Sequence, residues 1–188
     1  MSSQKYHLVI DLEATCDDQG TIPREQTEII EIGAVLADDE TLTVVEEWQT
    51  FVRPIQHPKL TPFCTQLTSI TQGQVDLAPI FPEAIGRLAQ FIRGRDAVFC
   101  SWGDYDRNQF DREALRHAVT LPLGSQHMNL KKAFWAQSGD RKKPGVGQAL
   151  ARVGLRFEGT AHRGIDDARN IARLLPYALG RVPIAAVR

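Results

Sequence analysis

The sequence predicts an α/β domain in which a mixed sheet is flanked by helices. Three observations carry this. Tyr6–Leu12 is apolar on both faces and reads as a buried strand. Two more apolar segments, Ile30–Leu36 and Leu42–Val52, follow at hairpin spacing across the short polar stretch Asp38-Asp39-Glu40. The pattern then changes to helical spacing, interrupted by one further apolar strand at Ala97–Trp102. A hairpin beside a buried strand, followed by a helical crossover, calls for antiparallel and parallel pairing in one sheet. The 188 residues fit one domain, 1–188, with a core over about residues 6–177.

The helical segments can be justified in turn. Pro62–Leu67 is a short helix opened by Thr61 and Pro62. Pro82–Ile92 places Ile85, Leu88, Ala89 and Ile92 on one stripe. Asp104–Val119 follows the fourth strand, and Leu130–Gln137, Val146–Val153 and Ile165–Leu179 complete the set. There is no internal repeat, low-complexity tract or interdomain linker.

Composition narrows the class. With 43% apolar and 24% charged residues the chain is too apolar for a disordered segment. It is long enough to bury a core without a disulfide or metal staple. Apolar runs such as Ile184–Val187 fall far short of the roughly 20 residues of a membrane span, so no membrane partner is expected. Met1–His7 lacks the apolar stretch of a secretory signal. Cys16, Cys64 and Cys100 are odd in number, widely spaced and without a C-x-x-C pair, which argues against a disulfide framework or cysteine zinc site and suits the cytoplasm. The net charge of −1 hides an asymmetry. Residues 1–140 carry 12 basic and 20 acidic side chains, residues 141–188 carry 10 and 3. A basic final quarter beside an acidic body fits a polyanion-binding face, or residues such as Arg169 and Arg173 simply line a solvated helix face.

The acidic residues point to chemistry. Side chains alternate along a strand, so Asp11 and Glu13 share a face at the end of the first strand. Open α/β sheets bind ligands at this end of their strands. Two unpaired carboxylates there repel, and a hard divalent cation such as Mg²⁺ or Mn²⁺ relieves the repulsion; otherwise they are a solvated strand end. The fourth strand leads into Asp104-Tyr105-Asp106. Asp106 shares a stripe with Phe110 and Ala114 and leans toward the packed side, while Asp104 stands where an N-cap belongs. In His162-Arg-Gly-Ile-Asp166-Asp167, Asp167 lies above Ile171 and Leu174 and faces the sheet. Asp166 lies over Arg169, Asn170 and Arg173, a polar stripe facing water. His162 precedes this helix by about a turn, between Gly159 and Gly164, and carries the side chain that titrates nearest neutral pH.

These residues carry a resemblance. D-L-E-A-T-C-D-D, E-I-I-E-I-G-A-V-L, L-T-S-I-T-Q, W-G-D-Y-D and H-R-G-I-D-D-A-R-N-I-A-R-L, in that order from about Tyr6 to Leu175, resemble the D-E-D-D-H 3′→5′ exonuclease superfamily. Within it they are most similar to the branch of the histone-mRNA 3′-end and enhanced-RNA-interference exonucleases. The resemblance implies an RNase H-like mixed five-stranded sheet, with a short fifth strand near Gln126–Asn129. It makes Asp11, Glu13, Asp106 and Asp167 the metal ligands and His162 the general base, the same aspartates that helix phase selects. No nucleic-acid-binding domain is expected to precede the nuclease core, unlike in several eukaryotic relatives.

The implied activity is metal-dependent release of nucleoside 5′-monophosphates from the 3′ ends of single-stranded nucleic acid, RNA favoured over DNA. The cofactor is a pair of Mg²⁺ ions, replaceable by Mn²⁺, with Asp11 bridging them and Glu13 and Asp167 completing one shell. Glu13 and His162 are thus the catalytic side chains, His162 taking a proton from the attacking water. Ala14 and Thr15 would meet the terminal sugar through their backbone. Leu67, Ile70 and Trp102 either clamp the last base or pack in the core. Arg141-Lys142-Lys143 either grips upstream phosphates or is a solvated loop. Two other classes compete: a non-catalytic regulator on an exonuclease fold, which would have lost an acid or the histidine, and a polymerase proofreading subunit.

Overall fold

His7 to Ile10 are all buried because the first strand, β1 (Lys5–Ala14), runs through the middle of a five-stranded sheet. The computed structural model describes residues 5–185, so Met1–Gln4 of the N-terminal reading and the end of the apolar run Ile184–Val187 lie outside the described residues. β2 (Ile29–Asp38) pairs antiparallel with β1, and β3 (Val44–Phe51) pairs antiparallel with β2. On the other side, β4 (Asp96–Ser101) pairs parallel with β1, and β5 (His127–Asn129) parallel with β4. The order is β3-β2-β1-β4-β5, the mixed sheet that the sequence predicts.

Alternation along the strands sorts the core into two layers. Leu8, Ile10 and Leu12 face α3 (Phe81–Phe91) and α4 (Tyr105–His117), where Phe81, Leu88, Phe99 and Phe110 fill the space. Val9, Val35 and Ala37 face the opposite layer of α5 (Leu130–Ser138), α6 (Val146–Arg152), α7 (Gly164–Ala172) and α8 (Leu175–Ala178). Asp11 and Glu13 continue the Val9 face, so they project on the α7 side. A third small cluster, Ile30, Cys64, Ile70 and Val75, seats α1 (Pro62–Thr68) and α2 (Gln72–Asp76).

The expected elements are found with small shifts. Thr61 caps α1 by accepting the Cys64 N–H at 3.0 Å. The segment expected as one helix over Ile165–Leu179 is two, α7 and α8, because Pro176 has no N–H to continue the ladder. The turn Arg24–Gln26 and α2 were not expected; both are a turn or so long and show no apolar period. No helix among the described residues is long and apolar enough to cross a membrane.

α7 packs hard against the sheet. Asp11 stands opposite Gly33 across the β1–β2 ladder, and the first turn of α7 occupies the space a side chain at 33 would take. A Cβ on Gly33 would lie 2.1 Å from the Gly164 carbonyl carbon and 2.2 Å from the Ile165 nitrogen. Both contacts are backbone, so relief requires α7 itself to move. Gly33→Ala is therefore expected to destabilise the protein by about 2–4 kcal/mol, read as a large fall in melting temperature. Gly86→Ala, mid-helix with nothing within 4 Å, is expected to be neutral or slightly stabilising. Equal melting temperatures for the two variants would show that α7 does not depend on this contact.

Candidate active site

Three segments far apart in sequence meet at the end of β1. Asp11 and Glu13 come from β1 itself. Asp106 comes from the first turn of α4 and is fastened to β1: the Leu12 N–H, beyond the last β1–β4 pair at Val9 and Cys100, donates to Asp106 Oδ1 at 3.1 Å. Asp167 comes from the first turn of α7. One carboxylate oxygen each from Asp11, Glu13 and Asp167 lies within 4.8 Å of the others.

Glu31 holds α7 in place. It is fully buried on β2, opposite Glu13, and its carboxylate accepts the Gly164 N–H at 3.1 Å. It also accepts Arg163 Nε and Nη2 at 3.0 and 3.3 Å, a forked ion pair at a helix N-terminus. The Arg163 guanidinium in turn lies 5.2 Å from the centre of the Phe51 ring. Asp167 is thereby set at a fixed height above Asp11.

Burial dominates the electrostatics. It raises Asp11 well above the usual carboxylate range, with the charges of Asp106 and Asp167 adding to it. Burial and then the charges of Asp167 and Glu31 push Glu13 up to about 8. Asp106 is raised by burial to about 6, against the stabilising pull of the Leu12 N–H. Burial likewise raises Asp167 to about 6, against the backbone N–H groups of His162 and Arg163. Asp167 Oδ2 is buried with no hydrogen-bond partner. Converging oxygen donors, an unpartnered buried carboxylate oxygen and mutual repulsion fit a hard divalent cation, held by Asp11, Glu13 and Asp167 with Asp106 beside them.

The acids open into a cleft of about 350 Å³. His162 lines it, on an exposed turn with φ +60°, together with Ala14, Leu67 and Trp102. Trp102 is oriented by donating its indole N–H to the Pro144 carbonyl at 3.0 Å. Two expected contacts are placed elsewhere. Ile70 is fully buried in the α1–α2 cluster, because its apolar neighbours Cys64 and Val75 enclose it. Thr15 is buried too, its N–H donating to the Glu28 carbonyl and its hydroxyl accepting the Glu28 N–H. Asp104 sits at the N-cap position of α4 without making a cap hydrogen bond; its carboxylate accepts Asn129 Nδ2 and Lys132 Nζ instead. Arg141-Lys142-Lys143 is exposed and outside the cleft lining, with Lys143 Nζ 5.3 Å from the centre of the Trp135 ring.

Sequence reasoning missed Glu31, Tyr105, Cys16 and Val146. Tyr105 and Val146 line the cleft, as does Cys16. Glu31 had a visible signal, a lone charge inside the apolar run of β2. Tyr105 adjoins Asp106, but nothing in its spacing distinguishes a cleft aromatic from a surface one.

A mixed sheet with four carboxylates gathered at the end of its central strand, and a histidine facing them, defines the D-E-D-D-H nuclease class of domain. The chain belongs to the Exonuclease family, whose model matches residues 8–175. ERI1 exoribonuclease 3 of Mus musculus is 33% identical over 184 residues, covering 92% of this chain and 53% of the mouse protein. The human 3′-5′ exoribonuclease 1 is 30% identical over 178 residues, covering 90% of this chain and 51% of that protein. This chain thus spans about half the length of these relatives. The crystal structure of the nuclease domain of 3′hExo, a DEDDh family member bound to rAMP, superposes with a TM-score of 0.84 at 28% identity, covering 100% of this chain and 98% of the other.

A carboxyl whose pKa is higher in the folded than in the unfolded chain favours folding most below the unfolded value, about 4, and that contribution is lost as pH rises through the folded value. With Asp106 and Asp167 at about 6 and Glu13 at about 8, the metal-free protein is expected to lose melting temperature from about pH 4 to 8. The gain on adding Mn²⁺ should therefore grow over the same interval. Melts in EDTA and in excess Mn²⁺ measure both. A metal gain as large at pH 5 as at pH 8 would mean that these acids are not charged against one another.

Proposed function

We propose that the protein is a 3′→5′ exonuclease that removes nucleoside 5′-monophosphates from single-stranded 3′ ends, with RNA as its substrate. The observation that carries this is the meeting of Asp11, Glu13 and Asp167 oxygens, with Asp167 Oδ2 unpartnered, in a cleft that His162 also lines. Both relatives named above are called exoribonucleases, which favours RNA over DNA.

Bound Mg²⁺, or Mn²⁺ in its place, supplies polarisation of the phosphoryl oxygens and neutralises charge on the attacking and leaving oxygens. Asp11, Glu13 and Asp167, with Asp106 beside them, would hold the cation at the end of β1. His162 accepts the proton of the attacking water on a ring nitrogen, the task of a general base. Ala14 presents backbone to the terminal sugar, and Leu67, Trp102 and Tyr105 supply apolar surface for the terminal base. Such surface contacts any base, so removal is sequence-tolerant. Arg141-Lys142-Lys143 supplies positive charge for the phosphates upstream. The cleft volume is at the lower end of the roughly 300–1,000 Å³ of small-ligand pockets, which favours one nucleotide over a paired end. Cys16, Cys64 and Cys100 are free thiols, consistent with a reducing compartment, which we take to be the cytoplasm.

Digestion of 5′-labelled single- and double-stranded RNA and DNA, with Mg²⁺, Mn²⁺ or EDTA, tests the reading. Stepwise shortening of single-stranded RNA and release of 5′-monophosphates, abolished by EDTA, are expected. Internal cuts, or equal rates in EDTA, would overturn it. His162→Ala is expected to lower turnover roughly 10²–10⁴-fold while Mn²⁺ affinity stays within a few-fold. Asp106→Asn is expected to be far more damaging than Asp104→Asn, since Asp104 is engaged with Asn129 and Lys132 at the surface and lies outside the cleft lining. Comparable losses at 104 and 106 in the same assay would remove Asp106 from the site.

A further inference from the structure

Asp166, the first aspartate of the Asp166-Asp167 pair, lies outside the acidic cluster, and the polar stripe it belongs to is only partly solvated, with Arg169 exposed. Asn170, expected to face water, is fully buried. Its amide bonds the backbone of Glu158 in both directions: Oδ1 accepts the Glu158 N–H at 3.1 Å and Nδ2 donates to the Glu158 carbonyl at 2.7 Å. Asp166 Oδ2 accepts the Thr160 N–H at 2.9 Å. Gly159, between them, has φ +88° and lies so close that a Cβ there would meet the Asp166 carboxylate at 2.5–2.6 Å. Asp166 Oδ1 accepts Arg169 Nη1 at 2.9 Å, and Arg169 Nη2 reaches Glu47 on β3 at 2.7 Å, which holds the carboxylate in its rotamer. Past the turn, Arg163 is fixed by Glu31.

We propose that Asp166 is a positioning residue for His162: together with Asn170 it clamps residues 158–160 onto α7 and so sets where the histidine ring enters the cleft. Between the Thr160 clamp and the Arg163 ion pair only Ala161 and His162 are left to span the turn, and His162 takes the left-handed backbone conformation, φ +60°, which few non-glycine residues adopt. Slackening the clamp lets that backbone relax and carries the ring off its line. The inference rests on the reading of His162 as the general base. It concerns Asp166 as a hydrogen-bond acceptor at the back of the loop, with no contact to substrate or cation.

The test compares kcat and KM on a short single-stranded RNA, and Mn²⁺ affinity, for Asp166→Ala, Asp166→Asn, Gly159→Ala and His162→Ala. Displacing a reacting group by about 1 Å lowers rates by up to about 10²-fold. Asp166→Ala is therefore expected to lower kcat on the order of 10–100-fold, with KM and Mn²⁺ affinity within about twofold. Asp166→Asn keeps an oxygen for the Thr160 N–H and is expected to recover most of the loss. Gly159→Ala drives a methyl against the same carboxylate and is expected to reproduce the kcat loss with Asp166 intact. If Asp166→Ala and Gly159→Ala keep full kcat while His162→Ala does not, the clamp does not position the histidine. If Asp166→Asn is as slow as Asp166→Ala, the Thr160 hydrogen bond is not the cause, and a fall in Mn²⁺ affinity would place the effect on Asp167 instead; either overturns the proposal. Full activity in His162→Ala would overturn the general-base reading beneath it.

Discussion

The contact between the first turn of α7 and the middle of the sheet is the constraint on which the cleft depends. Gly33 leaves a gap on β2 opposite Asp11, the Gly164 backbone fills it, and the buried Glu31 carboxylate closes over the helix end by taking the Gly164 N–H and the Arg163 fork. Asp167 is then three residues into a helix that has no freedom to slide, and His162 is the residue before its ion-paired entry. Asp106 is tied by the Leu12 N–H to the same strand that carries Asp11 and Glu13. The four carboxylates therefore share one rigid reference, the paired strands β1 and β2.

Such a cluster works against folding. Each of the four acids is raised above its ordinary range, mainly by burial, so in the absence of a cation the site favours protons over charge. The opposing term is the apolar packing on both faces of the sheet: Leu8, Ile10 and Leu12 against α3 and α4, Val9 and Val35 against α5 to α8. Local rules of burial are broken at one strand end and obeyed along the rest of the strand, the pattern of a functional site on a stable frame.

Most of the frame was legible because its signals are local. Alternation in Tyr6–Leu12 put Asp11 and Glu13 on one face, and helix phase separated Asp106 from Asp104 and Asp167 from Asp166; the structure places all four acids accordingly. What stayed hidden was set by contacts between distant segments. Asn170 looks solvated by its stripe, yet the 158–160 loop folds back over it. Ile70 and Thr15 are polar-loop neighbours in sequence and interior in space. The three-residue β5 carries too few positions for any period, and its place at the sheet edge comes from parallel pairing with β4. Asp104 looked like a cap, and Asn129 of β5 and Lys132 of α5 took its carboxylate instead.

The parallel pairing of β1 with β4, and the return of α7 onto β1 and β2, have a consequence for biosynthesis. The strand bearing Asp11 and Glu13 is made before its neighbour β4, and Gly164–Asp167 come later still. Pairings so remote in sequence form late and slowly. A nascent chain on the ribosome has β1 and its hairpin partners long before it has the helix that completes the cation site. Until residues 162–167 are made, the growing polypeptide lacks both His162 and the fourth acid, Asp167. The cation site is thus completed only after all five strands of the sheet have been made.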